Sequence, residues 1–265
     1  NIVPGLAVII VGNNPASIVY VSNKLKKAKD LGINSFEYQL PENVFEHELL
    51  EKIELLNNDP RVNAILVQLP LPKHIDAKLV INSINPLKDV DGFNILNVGK
   101  LYTEQESLVP CTPYACLLLI KSVMEDLSGL NAVIVGRSNI VGRPMGELLL
   151  QNNATVTIAH SKTKNIEALC SEADILVCAV GIPNLIKANW VRKGAVIIDV
   201  GINRINISEE KTKLVGDVDF NDVIHKVKAI TPVPGGVGPM TIACLMANSL
   251  KATYIQNGLK FEEII

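Results

Sequence analysis

The chain has 265 residues, 48% of them hydrophobic and 20% charged, and its 25 basic and 27 acidic side chains leave a formal net charge of −2. That length buries the core of one large domain or two smaller ones, of which two are expected, and the near balance of charge leaves no electrostatic footprint for nucleic acid or an anionic membrane surface. No apolar run reaches the roughly 20 residues that span a bilayer, and five cysteines without a C-x-x-C pair fit neither a disulfide framework nor a structural zinc site, so no metal is expected.

In chain order, residues 6–11 form an unbroken β-prone run, and residues 15–31 follow with helical spacing of apolar positions and a lysine-rich second half. The alternation recurs at 36–40 with 45–57, and at 64–69 with 75–84. Strands that are apolar throughout and alternate with amphipathic helices predict a parallel sheet covered on both faces. From Asp89 to Pro113 the composition shifts to Asp, Gly, Asn and Pro with little periodicity, which predicts a connection of functional loops and a domain boundary near Pro113. A helix over 114–127 follows. Strand–helix alternation then restarts with strands at 132–135, 155–159, 175–180 and 196–200. The fold class expected is α/β: two α/β domains flanking a cleft, the second a Rossmann-like doubly wound parallel sheet. The first domain would span 1–112 and be completed by a C-terminal helix within 240–265, opened by Pro239 in its first turn; the second would span 113–239.

The strand at 132–135 runs into Gly136-Arg137-Ser138-Asn139-Ile140-Val141-Gly142, and a helix follows to Gln151. Gly136 can make the tight turn, and N–H groups at the helix start can bind a pyrophosphate. Ser138 stands where the G-x-G-x-x-G pattern has its second glycine, so spacing alone leaves an ordinary glycine turn open. The next strand ends at His160-Ser161-Lys162, where an NAD-selective fold would present a carboxylate to the ribose; none occurs before Glu167. Ser161, Lys162 and Arg137 suit a 2′-phosphate, which favours NADP over NAD, with solvated surface charges as the alternative. His160 reads as structural.

Ser17, Tyr20 and Lys24 fall on one face of the first helix. An aromatic ring there can stack on a flat heterocycle, and a desolvated lysine can act as a base; a boundary tyrosine beside a solvated lysine is the plainer reading. Val67-Gln68-Leu69-Pro70 places an amide at the carboxyl end of a strand, where ligands of α/β sheets bind. Asp89 and Asp91, in Lys88-Asp89-Val90-Asp91-Gly92, offer acceptors to an amino-pyrimidinone ring or make an ordinary turn. Pro234, Gly235, Gly236, Val237, Gly238, Pro239, Met240, Thr241 and Ile242 form a Pro- and Gly-dense run that lets backbone approach a ligand.

As an ordered set these segments, with Pro4-Gly5-Leu6-Ala7, Pro110-Cys111-Thr112-Pro113, Val200-Gly201-Ile202-Asn203 and Gly216-Asp217-Val218, resemble the bifunctional methylenetetrahydrofolate dehydrogenase/cyclohydrolase family over essentially the whole chain. The resemblance implies that NADP-dependent oxidation of 5,10-methylene-tetrahydrofolate is followed by hydrolysis to 10-formyl-tetrahydrofolate. It gives Lys24 the central catalytic role, with Tyr20 stacking on the folate, Gln68 positioning the lysine and Asp91 holding the pterin. Ser17, Val67, Leu69 and residues 234–242 would border the folate, and Gly136, Arg137, Ser138, Ser161 and Ile202 would contact the cofactor. It further implies a homodimer with tetrahydrofolate derivatives as ligands. The chain opens without the segment the family carries before its first strand. A cytoplasmic address is expected, or an organelle if a leader was trimmed from before Asn1. Some relatives without cyclohydrolase function differ at the positions of Lys24 and Gln68, and retention of both here implies two activities. A dehydrogenase-only enzyme, an NADP-dependent oxidoreductase of a small acid and a dinucleotide-binding scaffold are the alternatives.

Overall fold

Gly5–Val11 (β1) is buried along its whole length because it is the central strand of a sheet, pairing in parallel with Asn34–Leu40 (β2) on one side and Ala64–Val67 (β3) on the other. Its side chains alternate between two faces. Ala7, Ile9 and Val11 join Ile65 and Val67 in a core closed by Leu49, Ile53 and Leu56 of Glu46–Asn58 (α2) and Val80 of Ala77–Ser83 (α3). Leu6, Val8 and Ile10 on the other face are equally buried, and Pro15–Asp30 (α1) packs against β1 and β2. The computed structural model describes residues 2–208 and 211–261.

α1 starts abruptly for two local reasons. The Asn14 side chain accepts from the N–H groups of Ala16 and Ser17 at 3.0 and 3.2 Å, and Pro15, which has no N–H to satisfy, enters the first turn. β2 departs from the all-apolar strands expected: it lies at the sheet edge, and only Phe36, Tyr38 and Leu40 turn toward the α2 core.

The stretch 89–113 is not a plain connection, for it contains the helix Ile95–Tyr102 (α4). Asn94 caps it, accepting from Leu96 N–H at 2.9 Å while its amide donates to Ile84 O at 3.0 Å. Asn97 and Leu101 are the buried positions of this helix while Ile95 and Leu96 are exposed, so its apolar residues do not mark a core-facing stripe. The next helix, Cys111–Lys121 (α5), begins and ends earlier than the 114–127 expected, with Pro113 inside its first turn.

The chain divides into two units, Asn1–Cys111 with Cys244–Ile265, and Thr112–Ala243. Both divisions fall inside or at the start of helices, α5 and the last helix, Val237–Gln256 (α9), rather than in a Gly/Pro-rich linker. α9 opens two residues before Pro239 and closes at Gln256, inside the 240–265 stretch expected to carry the C-terminal helix; residues 262–265 lie outside the described residues.

In the second unit Asn131–Val135 (β4), Thr155–Ala159 (β5), Ile175–Cys178 (β6) and Val196–Asp199 (β7) are all parallel. An antiparallel pair that the apolar pattern did not reveal, Asn203–Asn206 (β8) and Thr212–Val215 (β9), follows β7, its strands short and largely polar. A two-residue strand, Ala229–Ile230 (β10), completes the sheet order β10-β7-β6-β4-β5. Val133, Val135, Leu176, Cys178 and Ile197 face one core, which Cys170 of Ile166–Ser171 (α7) and Trp190 also line. On the other face Gly146 of Gly142–Gln151 (α6) meets Ile158 and Ile134 so closely that an added Cβ would lie 3.0 Å from the Ile158 methyl. Burial on both faces explains why β4, β6 and β7 read as nearly continuous apolar runs, whereas β5, at the sheet edge, carries threonines and is only partly buried.

Candidate active site

In the first unit, helical spacing and the end of β3 bring three of the expected residues together. Lys24 is 4% exposed although it carries a charge-bearing head group. Its Nζ donates to Gln68 Oε1 at 3.1 Å and lies 4.6 Å from the centre of the Tyr20 ring, one turn back on α1. Gln68 follows the last residue of β3, and its backbone N–H extends the ladder to Ile9 O at 2.8 Å. Its amide Nε2 donates to Leu69 O at 2.7 Å, which turns Oε1 toward the lysine. Ser17 is half-buried a further turn back. Val67 packs its side chain into the β-sheet core, so what it offers a ligand is main chain.

Asp91 is held from both sides. Asp89, 1% exposed, accepts from Asn94 N–H at 2.8 Å and the Asn97 amide at 2.9 Å. Burial lifts the Asp89 carboxyl to about 6 against these hydrogen bonds. Val90 O accepts from the Cys111 thiol at 3.1 Å and from the Asn248 amide of α9 at 2.8 Å; the same amide reaches Val109 O at 2.8 Å. Gly92, at φ +71°, approaches the 108–110 backbone so closely that a Cβ would lie 2.6 Å from Leu108 O. Asp91 itself is half-buried. Burial pushes its carboxyl above the usual range, and the charge of Lys24 draws it back. Burial, followed by the charge of Asp91, pushes the Cys111 thiol far up, so Cys111 serves as a hydrogen-bond donor here rather than as a nucleophile.

In the second unit the glycine turn follows β4. A Cβ on Gly136 would strike Ala179 O, and one on Gly142 would strike Gly136 O, so backbone meets backbone at the start of α6. Ser138 replaces the missing second glycine with a cap: its hydroxyl accepts from the N–H groups of Val141 and Gly142 at 3.1 and 3.4 Å. β4 pairs with β5 so that Val135 lies beside Ala159, which places Arg137 and Ser161 at neighbouring strand ends, both exposed. Lys162 N–H donates to His160 Nδ1 at 3.1 Å, giving that ring a structural role. Ile202, 62% exposed, follows the end of β7. The turn geometry and the cationic, carboxylate-free end of β5 suit a phosphorylated dinucleotide.

Residues 234–242 belong to this second unit, whereas Tyr20, Lys24, Gln68 and Asp91 belong to the first. Gly235 sits at φ +105°, and Gly236 folds against Pro232 O; Met240, Thr241 and Ile242 lie on α9 rather than in a loop. Sequence reasoning did not single out Asn248, 158 positions from Val90, or Asp199, whose one signal is a carboxylate closing an otherwise apolar strand.

Two family models match the chain: tetrahydrofolate dehydrogenase/cyclohydrolase, catalytic domain, over residues 1–91, and its NAD(P)-binding domain over residues 110–257. The bifunctional protein FolD 2 of Paracoccus denitrificans is 58% identical over 97% of this chain and 85% of its own length. The crystal structure of the bifunctional enzyme FolD, methylenetetrahydrofolate dehydrogenase/cyclohydrolase, from Campylobacter jejuni matches at TM-score 0.92 and 49% identity, covering 97% of this chain and 90% of that one. That of the N5,N10-methylenetetrahydrofolate dehydrogenase-cyclohydrolase of Trypanosoma brucei, complexed with NADP cofactor and inhibitor, matches at TM-score 0.92 and 38% identity, covering 96% and 88%. With both family models and a near-full-length relative in agreement, this chain belongs to the tetrahydrofolate dehydrogenase/cyclohydrolase family.

Proposed function

We propose that the chain oxidises 5,10-methylene-tetrahydrofolate to the 5,10-methenyl compound with NADP and hydrolyses that product to 10-formyl-tetrahydrofolate, within one-carbon metabolism. The observation that carries the hydrolytic step is the buried Lys24 amine, fastened 3.1 Å from Gln68 Oε1 beside the Tyr20 ring. Tyr20 offers a face on which the pterin stacks, and Asp91 offers two oxygens to its N–H groups. Ser17, the main chain at Val67 and Leu69, and residues 234–242 border the folate in this reading.

NADP, when bound, supplies the acceptor for the hydride that the methylene bridge loses. The Gly136 turn and the Ser138 side chain would border its pyrophosphate; Arg137 and Ser161 would take the 2′-phosphate by charge-assisted hydrogen bonds, and Ile202 would add an apolar contact. The methenyl bridge is a cation open to water. Lys24 takes the proton that water releases as its oxygen bonds to the bridge carbon, and the ring then opens to the formyl amide. Gln68 keeps Nζ in place for that transfer.

The same reading makes the protein a cytoplasmic homodimer. Its support is the bacterial source of the near-full-length relative and five cysteines that are all buried; among the described residues no helix is long and apolar enough to cross a membrane. Sedimentation at micromolar concentration tests the dimer.

The decisive variant is Lys24→Met, which keeps the length of the side chain and removes the base. We expect its hydrolysis of supplied methenyl-tetrahydrofolate to fall by about 10²–10⁴-fold. Undiminished hydrolysis would remove Lys24 from the mechanism.

A further inference from the structure

Two carboxylates in the second unit are almost completely buried, Asp199 at 3% and Asp217 at 0% exposure, yet among the described residues neither forms a salt bridge. Both are satisfied by donors from the loops at the carboxyl edge of the sheet. Asp199 accepts from the backbone N–H groups of Gly201, Asp217 and Val218 at 3.0, 2.9 and 2.9 Å. Asp217 accepts from Val180, Gly181 and Ile182 N–H at 2.7, 3.0 and 3.0 Å, and from the Asn203 amide at 2.9 Å.

The glycines around them follow from this arrangement. A Cβ on Gly201 would run into the Asp217 carboxylate, and one on Gly216 into that of Asp199. Two loops and two glycines are therefore built around the pair of anions.

The loops so tied are the ones that flank the dinucleotide edge. Residues 180–182 follow β6 and begin beside Ala179, whose carbonyl oxygen occupies the space a Cβ on Gly136 would need. Asn203 adjoins Ile202 at the end of β7. We propose that Asp217 is a positioning residue for cofactor binding, which joins the loop after β6 to the loop after β7 and so sets Ile202 relative to the Gly136 turn.

This inference rests on the NADP reading above. Asp217 touches no reacting atom, and the four donors to its carboxylate all belong to the second unit. Its contribution is to hold four donors at once, two on each carboxylate oxygen. An asparagine would turn an NH₂ group toward two of those donors.

The test uses the full chain, Asp217→Asn and Asn203→Ala, with three readouts: the NADP dissociation constant, amide hydrogen exchange over residues 180–182 without cofactor, and hydrolysis of supplied methenyl-tetrahydrofolate without cofactor. For D217N we expect NADP binding weakened about tenfold or more, faster exchange over 180–182, and hydrolysis within about twofold of the parent. For N203A, which removes one of the four bonds, we expect binding weakened about threefold. Unchanged NADP binding in folded D217N overturns the assignment, as does loss of hydrolysis in step with loss of binding. If D217N does not fold, N203A decides: weaker binding supports the positioning role, and unchanged binding overturns it. Failure of the parent chain to bind NADP would instead contradict the reading on which the inference rests.

Discussion

At Lys24 two demands meet. A buried amine needs a partner, and the base proposed for hydrolysis needs freedom from a permanent ion pair; the neutral acceptor Gln68 Oε1 at 3.1 Å suits both. Gln68→Leu should therefore strand Nζ, lowering stability by about 1–3 kcal/mol and hydrolysis by more than the dehydrogenase step. Denaturant titration and separate assays of the two activities check this, and equal losses in both would count against it. Asp89 makes a pH-dependent contribution. Its carboxyl is raised from 3.8 to about 6, so the stability it contributes is fully present below about pH 4 and lost as pH rises through 6. The deficit of Asp89→Asn relative to the parent should thus narrow by about 1.4 kcal/mol between about pH 5 and about pH 8. A deficit that widens over that range contradicts the burial assigned to Asp89. Ser17, Tyr20 and Lys24 were legible because i, i+3 and i+4 positions share a helix face whatever the tertiary fold. The roles of Asn248 and Asp89 were not, because their partners are chosen by packing between distant segments rather than by local period.

Elements with both faces buried announced themselves, since β1, β6 and β4 beyond Asn131 must be apolar throughout. The misses have the opposite character. α4 exposes Ile95 and Leu96 while it buries Asn97, and β8 and β9 pair with one another outside the main sheet, so neither is marked by an apolar stripe facing a core. Asn94 stands in for that signal by capping α4 and anchoring it to Ile84 O. Asn94→Ala should cost about 1–3 kcal/mol, read by thermal or denaturant unfolding, because a cap and a buried bond are lost together. A cost below about 0.5 kcal/mol would show the cap to be idle. At the glycine turn, the departure from G-x-G-x-x-G is explained by Ser138, whose hydroxyl accepts from the helix N–H groups, and by the contact of Gly142 with Gly136 O. Gly142→Ala must push these backbones apart. NADP binding should weaken at least about tenfold, measured by titration, while hydrolysis of methenyl-tetrahydrofolate persists.

Across the whole molecule the chain runs from the first unit into the second within α5 and returns within α9. Such helical crossings have no Gly/Pro-rich linker to mark them, which is why the sequence placed the first boundary at a proline inside a helix. Lys24, Tyr20 and Gln68 lie in the first unit and the glycine turn with Arg137 in the second, so in the proposed reading variants of the turn should leave hydrolysis measurable. Arg137→Ala is a case in point: loss of a charge-assisted bond to the 2′-phosphate should weaken NADP by about tenfold or more and leave NAD nearly unchanged. Equal effects on both cofactors would contradict the selectivity argument. The central claim, two successive reactions on one folate, is tested most directly by supplying 5,10-methylene-tetrahydrofolate and NADP to the purified chain while following reduced cofactor, methenyl-folate and formyl-folate separately. The account predicts NADPH and 10-formyl-tetrahydrofolate rising together with little methenyl compound in between; methenyl-tetrahydrofolate accumulating in step with NADPH, or no NADPH at all, would contradict it.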